Sequence, residues 1–445
     1  MDENIKLGLV MLGRPQFDIS LAQQFWGRVK TALESWGIDN IVALEEPVTR
    51  PQQAISAAQK LQGKDLDAVL VVQGTFTDAS LILNLTRDLA LPLLIWAIKE
   101  EPTGERLRLN SFCGLNLAAH ALTAAGRKFK GIYGEPDTPQ VQREILAFIR
   151  AAAAIRWLKG KKLGIVGQRP PGYYTSNFDE IGLYTTFGIS VEYIPLFEVF
   201  SLADKINLEE QEASLTSNLD GYKQVEAGAV QKSLQGYLAL RRIAIDKALD
   251  ALAIECWPDF MVTYGGAACF ALGKLNDEGI VAACEADVNG AITMLLAHYW
   301  SDKATFLADL VVGDKEKNEL IFWHCGGAPP SLIARNLKPV ASVHPNRKVP
   351  LSLYFPLREG ETTISRLSPG KDGRYRILLG KGIGLQTPLL FSGNTLLIRL
   401  ERPVTSVLDT ILSHGFEHHY IIAYGDLIQE WREFARLLDL EIVEF

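Results

Sequence analysis

The sequence predicts an α/β protein: two doubly wound α/β units followed by a mostly antiparallel β-domain. Three observations predict it. In the first third, short apolar runs alternate with stretches of helical period, as parallel strands joined by crossover helices do. The same grammar restarts at "KKLGIVGQRPPGYYTSNFDE", residues 161–180. After about Lys315 it gives way to short strands parted by Gly, Pro and charged turns. At 445 residues the chain is too long for one ordinary core. We divide it into an N-terminal α/β domain (1–158), a second α/β domain with an acidic segment (159–315) and a β-domain with a terminal helix (316–445).

Taken in order, "IKLGLVML" reads as a strand and "SLAQQFWGRVKTALESWG" as a helix stopped by a glycine. The strand "NIVALEE", the helix around "PQQAISAAQKLQGK" and the strand "LDAVLVVQG" follow. Ligands of such sheets collect beyond the carboxyl ends of the strands. That gives weight to "GRPQFD" (Gly13–Asp18) and "QGTFTDAS" (Gln73–Ser80). The helix "VQREILAFIRAAAAIRWLKG" leads into the second unit, which continues through "GISVEYIPL" and "LDALAIECW" to "GIVAACEADVNGAITMLLAHYW" (Gly279–Trp300). The β-rich third holds "ELIFWHCGGAPP", "LSLYFPLREGETTISRLS", "RYRILLGKGI" and "TLLIRLE". A helix, "GDLIQEWREFARLLD", and a strand, "LEIVEF", close it.

Apolar residues make up 48% and charged residues 22%, the balance of a soluble globular protein. A formal net charge of −7 leaves no basic footprint for nucleic acid. The start "MDENIKLGLV" lacks the order of a secretory signal, and no apolar run reaches membrane-spanning length. Five cysteines without paired spacing fit a reducing cytoplasm.

The chemistry gathers at "CEADVNGA". If "GIVAAC" is a parallel strand, Glu285 and Asp287 project together from its carboxyl end. Close carboxylates repel unless a cation sits between them or one keeps a proton. The competing reading makes Asp287 or Asn289 a helix cap and leaves Glu285 solvated. His324 lies where an apolar strand runs into a Gly-rich turn, and His418 and His419 precede another strand. On alternating faces only one of that pair points at a given site. Carboxylates and histidines at several element ends suit a divalent ion such as Mn²⁺ or Mg²⁺. Neither "LGRPQFD" nor "GQRPPGYY" has phosphate-loop or dinucleotide spacing. Arg14, Gln73, Thr75, Asp78 and Arg169 sit on strand-end loops, placed to hydrogen-bond sugar hydroxyls. Arg14 and Arg169 also suit an anionic substituent, a phosphate or sulfonate.

At these residues the sequence resembles the L-fucose and L-arabinose isomerase superfamily, in its fucose isomerase-like branch. "GRPQFD", "QGTFTD" and "GQRPPG" carry the resemblance early, then "CEADVNGAITMLLAHYWSDKATFLADL", "HCGGAPPSL" and "HHYIIAYGD". It implies two Rossmann-like domains and a C-terminal β-domain, assembled as trimers or hexamers with active sites between subunits. It also implies a small-molecule sugar as substrate and aldose–ketose isomerisation with a divalent ion. That ion is Mn²⁺ first, with Mg²⁺ or Co²⁺ as alternatives. Carried onto this chain, the second acidic ligand and catalytic carboxylate falls on Asp287, with Glu285 the close alternative. His324 resembles the histidine ligand of the arabinose isomerases. The C-terminal histidine ligand falls on His419, beside His418 as a substrate contact. The family's first acidic ligand should fall between Tyr264 and Leu272, where Cys269 stands and no carboxylate does; Glu255 is the nearest stand-in. Two further readings therefore stay open: a sugar-binding or regulatory protein without catalysis, and an epimerase or lyase using the same enediolate chemistry.

Overall fold

The computed structural model describes residues 5–209 and 211–445, which divide by contacts into two units. One comprises the chain up to Trp157 together with Gln429–Leu438; the other comprises Leu158–Ile428 and Asp439–Phe445. The protein is mixed α/β, with two parallel sheets and a mainly antiparallel one. No described helix is long and apolar enough to cross a membrane.

The first unit is a five-stranded parallel sheet of Lys6–Leu12 (β1), Asn40–Val48 (β2), Ala68–Gln73 (β3), Leu93–Ala97 (β4) and Lys130–Tyr133 (β5). The order is β2-β1-β3-β4-β5. Alternation along the strands feeds two cores. Leu7, Leu9, Met11, Leu70, Val72 and Trp96 face one, packed with helices Ile19–Ser35 and Pro139–Leu158. Val10, Leu12, Val69, Val71 and Ile95 face the other. Both faces are thus covered, as parallel sheets require. The late helix Ile428–Leu438 belongs here through Gln429–Leu438: Lys130 Nζ meets Glu433 at 2.6 Å, and Arg436 donates to the Phe129 carbonyl at 2.7 Å. The order of strands reverses between β1 and β3, so the loops after Leu12 and Gln73 flank a switch point of the kind that binds ligands.

The second unit opens with a four-stranded parallel sheet, Lys162–Val166 (β6), Ser190–Ile194 (β7), Ala251–Ile254 (β8) and Val281–Ala283 (β9), ordered β7-β6-β8-β9. It continues in a nine-stranded sheet: Phe306–Asp314 (β10), Glu319–His324 (β11), Val340–Val343 (β12), Pro350–Pro356 (β13), Gly360–Pro369 (β14), Tyr375–Leu385 (β15), Asn394–Leu400 (β16), His419–Tyr424 (β17) and Glu441–Glu444 (β18). A further pairing of β15 with β16 closes six of these strands into a ring, removing their free edges. Helix Val288–Ser301 packs against β8 and β9 on one side and β14 and β17 on the other. That helix has no solvated face through most of its length, and its apolar run "AITMLLA" is the sequence reason. Thr293 Oγ1 accepts the Leu367 N–H at 3.0 Å, tying the helix to β14.

Candidate active site

Strand β9 ends at Ala283, and the chain then turns sharply. Glu285 and Ala286 both have left-handed backbones, φ 56° and 52°. Such angles cost a non-glycine residue roughly 1–2 kcal/mol, and they cluster where function over-determines the backbone. The turn is pinned by the Ala286 N–H, which donates to the Ile254 carbonyl of β8 at 3.0 Å. Because the strand has already ended, Glu285 and Asp287 are not alternate positions on one strand face. They meet the two ring nitrogens of His419 and otherwise have different partners.

Asp287 is the N-cap of helix Val288–Ser301 and is 1% exposed. Its Oδ1 accepts the Gly290 N–H at 2.8 Å and an Arg366 N–H at 3.1 Å. Its Oδ2 accepts the second Arg366 nitrogen at 2.5 Å and faces His419 Nδ1 at 2.9 Å. Those four contacts fill the four acceptor sites of a carboxylate. Burial opposes the charge, but Arg366 and His419 hold the carboxyl well below the usual range. Arg366 is wholly buried on β14, with Glu417 as its second carboxylate at 3.4 Å.

Glu285 keeps 14% of its side chain exposed. Trp257 Nε1 donates to its Oε1 at 3.0 Å, and its Oε2 lies 3.2 Å from His418 Nε2 and 3.7 Å from His419 Nε2. Glu285, His418 and His419 each bring one ligand atom within 4.8 Å of the others. Burial would raise the Glu285 pKa, yet His418, His419 and Trp257 lower it on balance. Burial would lower that of His418, yet Glu285 and Asp309 raise it. The two histidines do not alternate across a face, because His418 precedes β17 and only His419 is in it; their rings are 4.0 Å apart.

Asp309 completes the group. It pairs across β10 and β17 with His419, and its Oδ1 lies 3.7 Å from His419 Nε2, buried and without a hydrogen bond. His419 Nδ1 faces Asp287 Oδ2, and its Nε2 is turned toward the oxygens of Glu285 and Asp309. Two carboxylate oxygens before an imidazole and a third carboxylate behind it form an arrangement that suits a metal-ligating histidine. These residues fit a hard or borderline divalent cation. Asp309 lies inside the quoted run "TFLADL", and its signal was a lone carboxylate in an apolar strand. Arg366 in "TTISRLS" gave the same kind of signal.

His324 is beside this group, outside the set whose ligand atoms lie within 4.8 Å of one another. Its ring is 6.0 Å from that of His419, and its Nδ1 is 3.5 Å from Cys325 Sγ. Burial opposes charge on His324, but Cys325 outweighs it and pushes the pKa up. Cys269, wholly buried, starts helix Cys269–Asp277 and lies 3.8 Å from Cys325. Cys256 and Cys284 approach to 2.8 Å. Cys269, Cys325 and His344 also lie within metal-ligand reach of one another. However, His344 Nδ1 accepts the N–H groups of Asn346 and Arg347, which leaves the proton on Nε2, a donor's tautomer.

The remaining candidates occupy strand-end loops. In the first unit the Arg14 N–H donates to Thr75 Oγ1 at 2.8 Å, and Arg14 Nε donates to Gln16. Asp78 caps helix Ala79–Thr86 through the Ser80 N–H. Gln73 is fully buried; its amide nitrogen bonds Thr75 and Thr77 while its Oε1 has no partner. In the second unit Arg169 stacks on Tyr174, with 4.8 Å from the guanidinium carbon to the ring. Glu255 follows β8, accepts the Gln168 N–H at 2.7 Å, and has its pKa raised chiefly by burial.

Residues 8–159 match the model of the fucose/sulfoquinovose isomerase N-terminal domain. The chain is 35% identical to a sulfoquinovose isomerase of Alkalicoccus urumqiensis, over 85% of this chain and 86% of that protein. It is 32% identical to sulfoquinovose isomerases of Priestia aryabhattai and Priestia megaterium, over 99% of each chain.

Proposed function

The chain belongs to the fucose/sulfoquinovose isomerase family and is a sugar isomerase, and from that premise we propose that it interconverts the aldose sulfoquinovose and the matching ketose through an enediolate, using a divalent ion. One observation carries the metal reading: Nε2 of His419 faces the oxygens of Glu285 and Asp309, and the Asp309 Oδ1 is buried without a hydrogen bond. Glu285, His418, His419 and Asp309 would hold the ion, with Mn²⁺ the first choice for this oxygen and nitrogen set. A bound divalent ion supplies Lewis acidity at the sugar's carbonyl and neighbouring hydroxyl oxygens.

The chain's own residues do the rest. Asp287, saturated by Arg366 and the helix cap, holds His419 in the Nδ1–H tautomer; we assign it positioning rather than coordination. His324 lies outside the proposed ligand set. An aldose–ketose exchange needs a group that removes a proton at one carbon and returns it at the next. We assign that task to Glu255, a buried carboxylate at the end of β8 whose pKa burial raises. Glu255 thereby takes the place of the carboxylate absent near Cys269. Arg14, Gln73, Thr75, Asp78 and Arg169 are proposed to bind substrate hydroxyls from the strand-end loops. The family resemblance supports a homo-oligomer with sites shared between subunits, and the five unpaired cysteines support a cytoplasmic setting.

The test is proton exchange at C2 of sulfoquinovose in D₂O, followed by NMR with Mn²⁺ added and with chelator. Ketose formation and exchange that vanish in Glu285→Gln are expected. A three-carbon product in place of the ketose would favour a lyase. Tight sugar binding with neither exchange nor product would favour a regulatory protein.

A further inference from the structure

Arg347 lies in the turn between β12 and β13, and its backbone is fixed by a buried imidazole. His344 Nδ1 accepts the Arg347 N–H at 3.2 Å and the Asn346 N–H at 3.3 Å, and the Lys348 N–H returns to the His344 carbonyl at 2.9 Å. The side chain reaches back over Trp257, with the guanidinium carbon 4.0 Å from the centre of the ring. Trp257 is the residue whose indole N–H holds Glu285. No carboxylate among the described residues pairs with Arg347, although it is exposed. One indole therefore bears a cation on its face and a site carboxylate at its N–H edge.

The neighbouring aromatic ring places this cation at the site. Tyr173 packs edge-on against Trp257 at 5.1 Å and against His418 at 5.9 Å between ring centres. Its hydroxyl has no hydrogen bond among the described residues. Arg169, by contrast, stacks on Tyr174, which is 76% exposed.

We propose that Arg347 receives the terminal sulfonate of the substrate, with Trp257 as the spacer that sets its distance from Glu285. The proposal rests on the sulfosugar reading above. A guanidinium stacked on an indole has surrendered much of its rotamer freedom before the ligand arrives. Stacking engages its face and leaves its N–H edge free, the fork that matches two oxygens of a tetrahedral oxyanion. In a six-carbon sugar the sulfonate at C6 and the reacting C1 and C2 are at opposite ends. A receptor one ring away from Glu285 suits that separation. Since Arg347 is solvated in the absence of ligand, a neutral sugar is not rejected; it lacks one attraction.

The experiment compares kcat and KM of the Mn²⁺-loaded wild type, Arg347→Gln and Arg347→Lys on sulfoquinovose, 6-deoxyglucose and glucose 6-phosphate. Arg347→Gln should raise KM for sulfoquinovose about 10- to 100-fold, the weight of a charge-assisted hydrogen-bond pair. Its kcat should stay nearly constant, and both constants for 6-deoxyglucose should be unchanged. Arg347→Lys keeps the charge without the planar fork and should fall between. Added NaCl should weaken sulfoquinovose use by the wild type and not by Arg347→Gln. If the variant retains the wild-type preference for the sulfonated sugar, Arg347 is not the receptor, and the isomerase reading stands. If kcat falls equally on all sugars, the loop only props Trp257 and the assignment is lost. If the wild type shows no preference for sulfoquinovose over 6-deoxyglucose, the substrate reading and this proposal fail together. Equal use of the 6-phosphate, equally lost in the variant, would keep Arg347 as an oxyanion receptor and overturn sulfonate as its ligand.

Discussion

Arg366 gives both terminal nitrogens to Asp287, and that pair fixes what the neighbouring carboxylate can do. Asp287 has no acceptor site left, whereas Glu285 retains an oxygen that faces two histidines. Substituting each should therefore fail differently. Asp287→Asn leaves Arg366 as a buried charge short of its main partner, and a loss of about 3–5 kcal/mol is expected in urea unfolding. Glu285→Gln should change the stability of the metal-free protein by less than about 1 kcal/mol and abolish the rise in melting temperature on adding Mn²⁺. Equal losses in the two variants would contradict this division of labour. His418 adds a pH dependence. A histidine whose folded pKa is raised contributes stability that is full below its unfolded value near 6.5 and lost as pH rises through the folded one. A metal must displace that same proton. The stabilisation by Mn²⁺, measured as a melting shift, should accordingly be larger at about pH 8 than at about pH 6. At this scale Glu285, His418 and His419 were readable as candidates because carboxylates and imidazoles at element ends are conspicuous. Asp309 and Arg366 were not, because a lone charge inside an apolar strand carries no hint of the strand that will neutralise it.

The element that organises the site is the turn from β9 into helix Val288–Ser301. Strand, helix and apolar periodicity were plain in "GIVAACEADVNGAITMLLA", but the two left-handed residues between them were not, since neither Glu285 nor Ala286 is a residue that favours such angles. A reading in strand faces put Glu285 and Asp287 side by side; the turn sends Glu285 to His418 and Asp287 to Arg366, with His419 between them. For the same reason His418, one residue before its strand, escapes the alternation that should have excluded it. The helix start is equally tight. A Cβ on Gly290 would lie 2.6 Å from Asp287 Oδ2 and 3.1 Å from the Arg366 guanidinium. Neither group has room to give, so Gly290→Ala, harmless in most helices, should destabilise by about 1–3 kcal/mol and weaken Mn²⁺ binding. Calorimetric titration alongside thermal melts would check it. Unchanged metal affinity would mean that His419 does not depend on Asp287 for its orientation.

At the scale of the whole molecule the proposed metal ligands all come from the second unit, while Arg14, Gln73, Thr75 and Asp78 stand on the first. Sequence grammar identified both parallel sheets, because buried parallel strands are near-continuous apolar runs. It could not show that β15 returns to β16, or that the helix Ile428–Leu438 pairs with Lys130 and Phe129 some 300 residues earlier, as the Lys130–Glu433 separation of 303 records. Contacts at such range leave no local pattern. The question they raise about function is whether one subunit supplies both sets of site residues. The family resemblance implies active sites between subunits, and we propose that each site takes its metal ligands from one copy and its strand-end loops from another. Arg14→Ala and Glu285→Gln, each inactive as a pure protein, then become complementary. When the two are unfolded together and refolded as mixed oligomers, a site assembled from two randomly drawn copies has both intact halves about one time in four. Roughly a quarter of wild-type activity should therefore return, and separately refolded proteins combined afterwards should show none. Mixed oligomers without activity would place both halves of the site within a single chain.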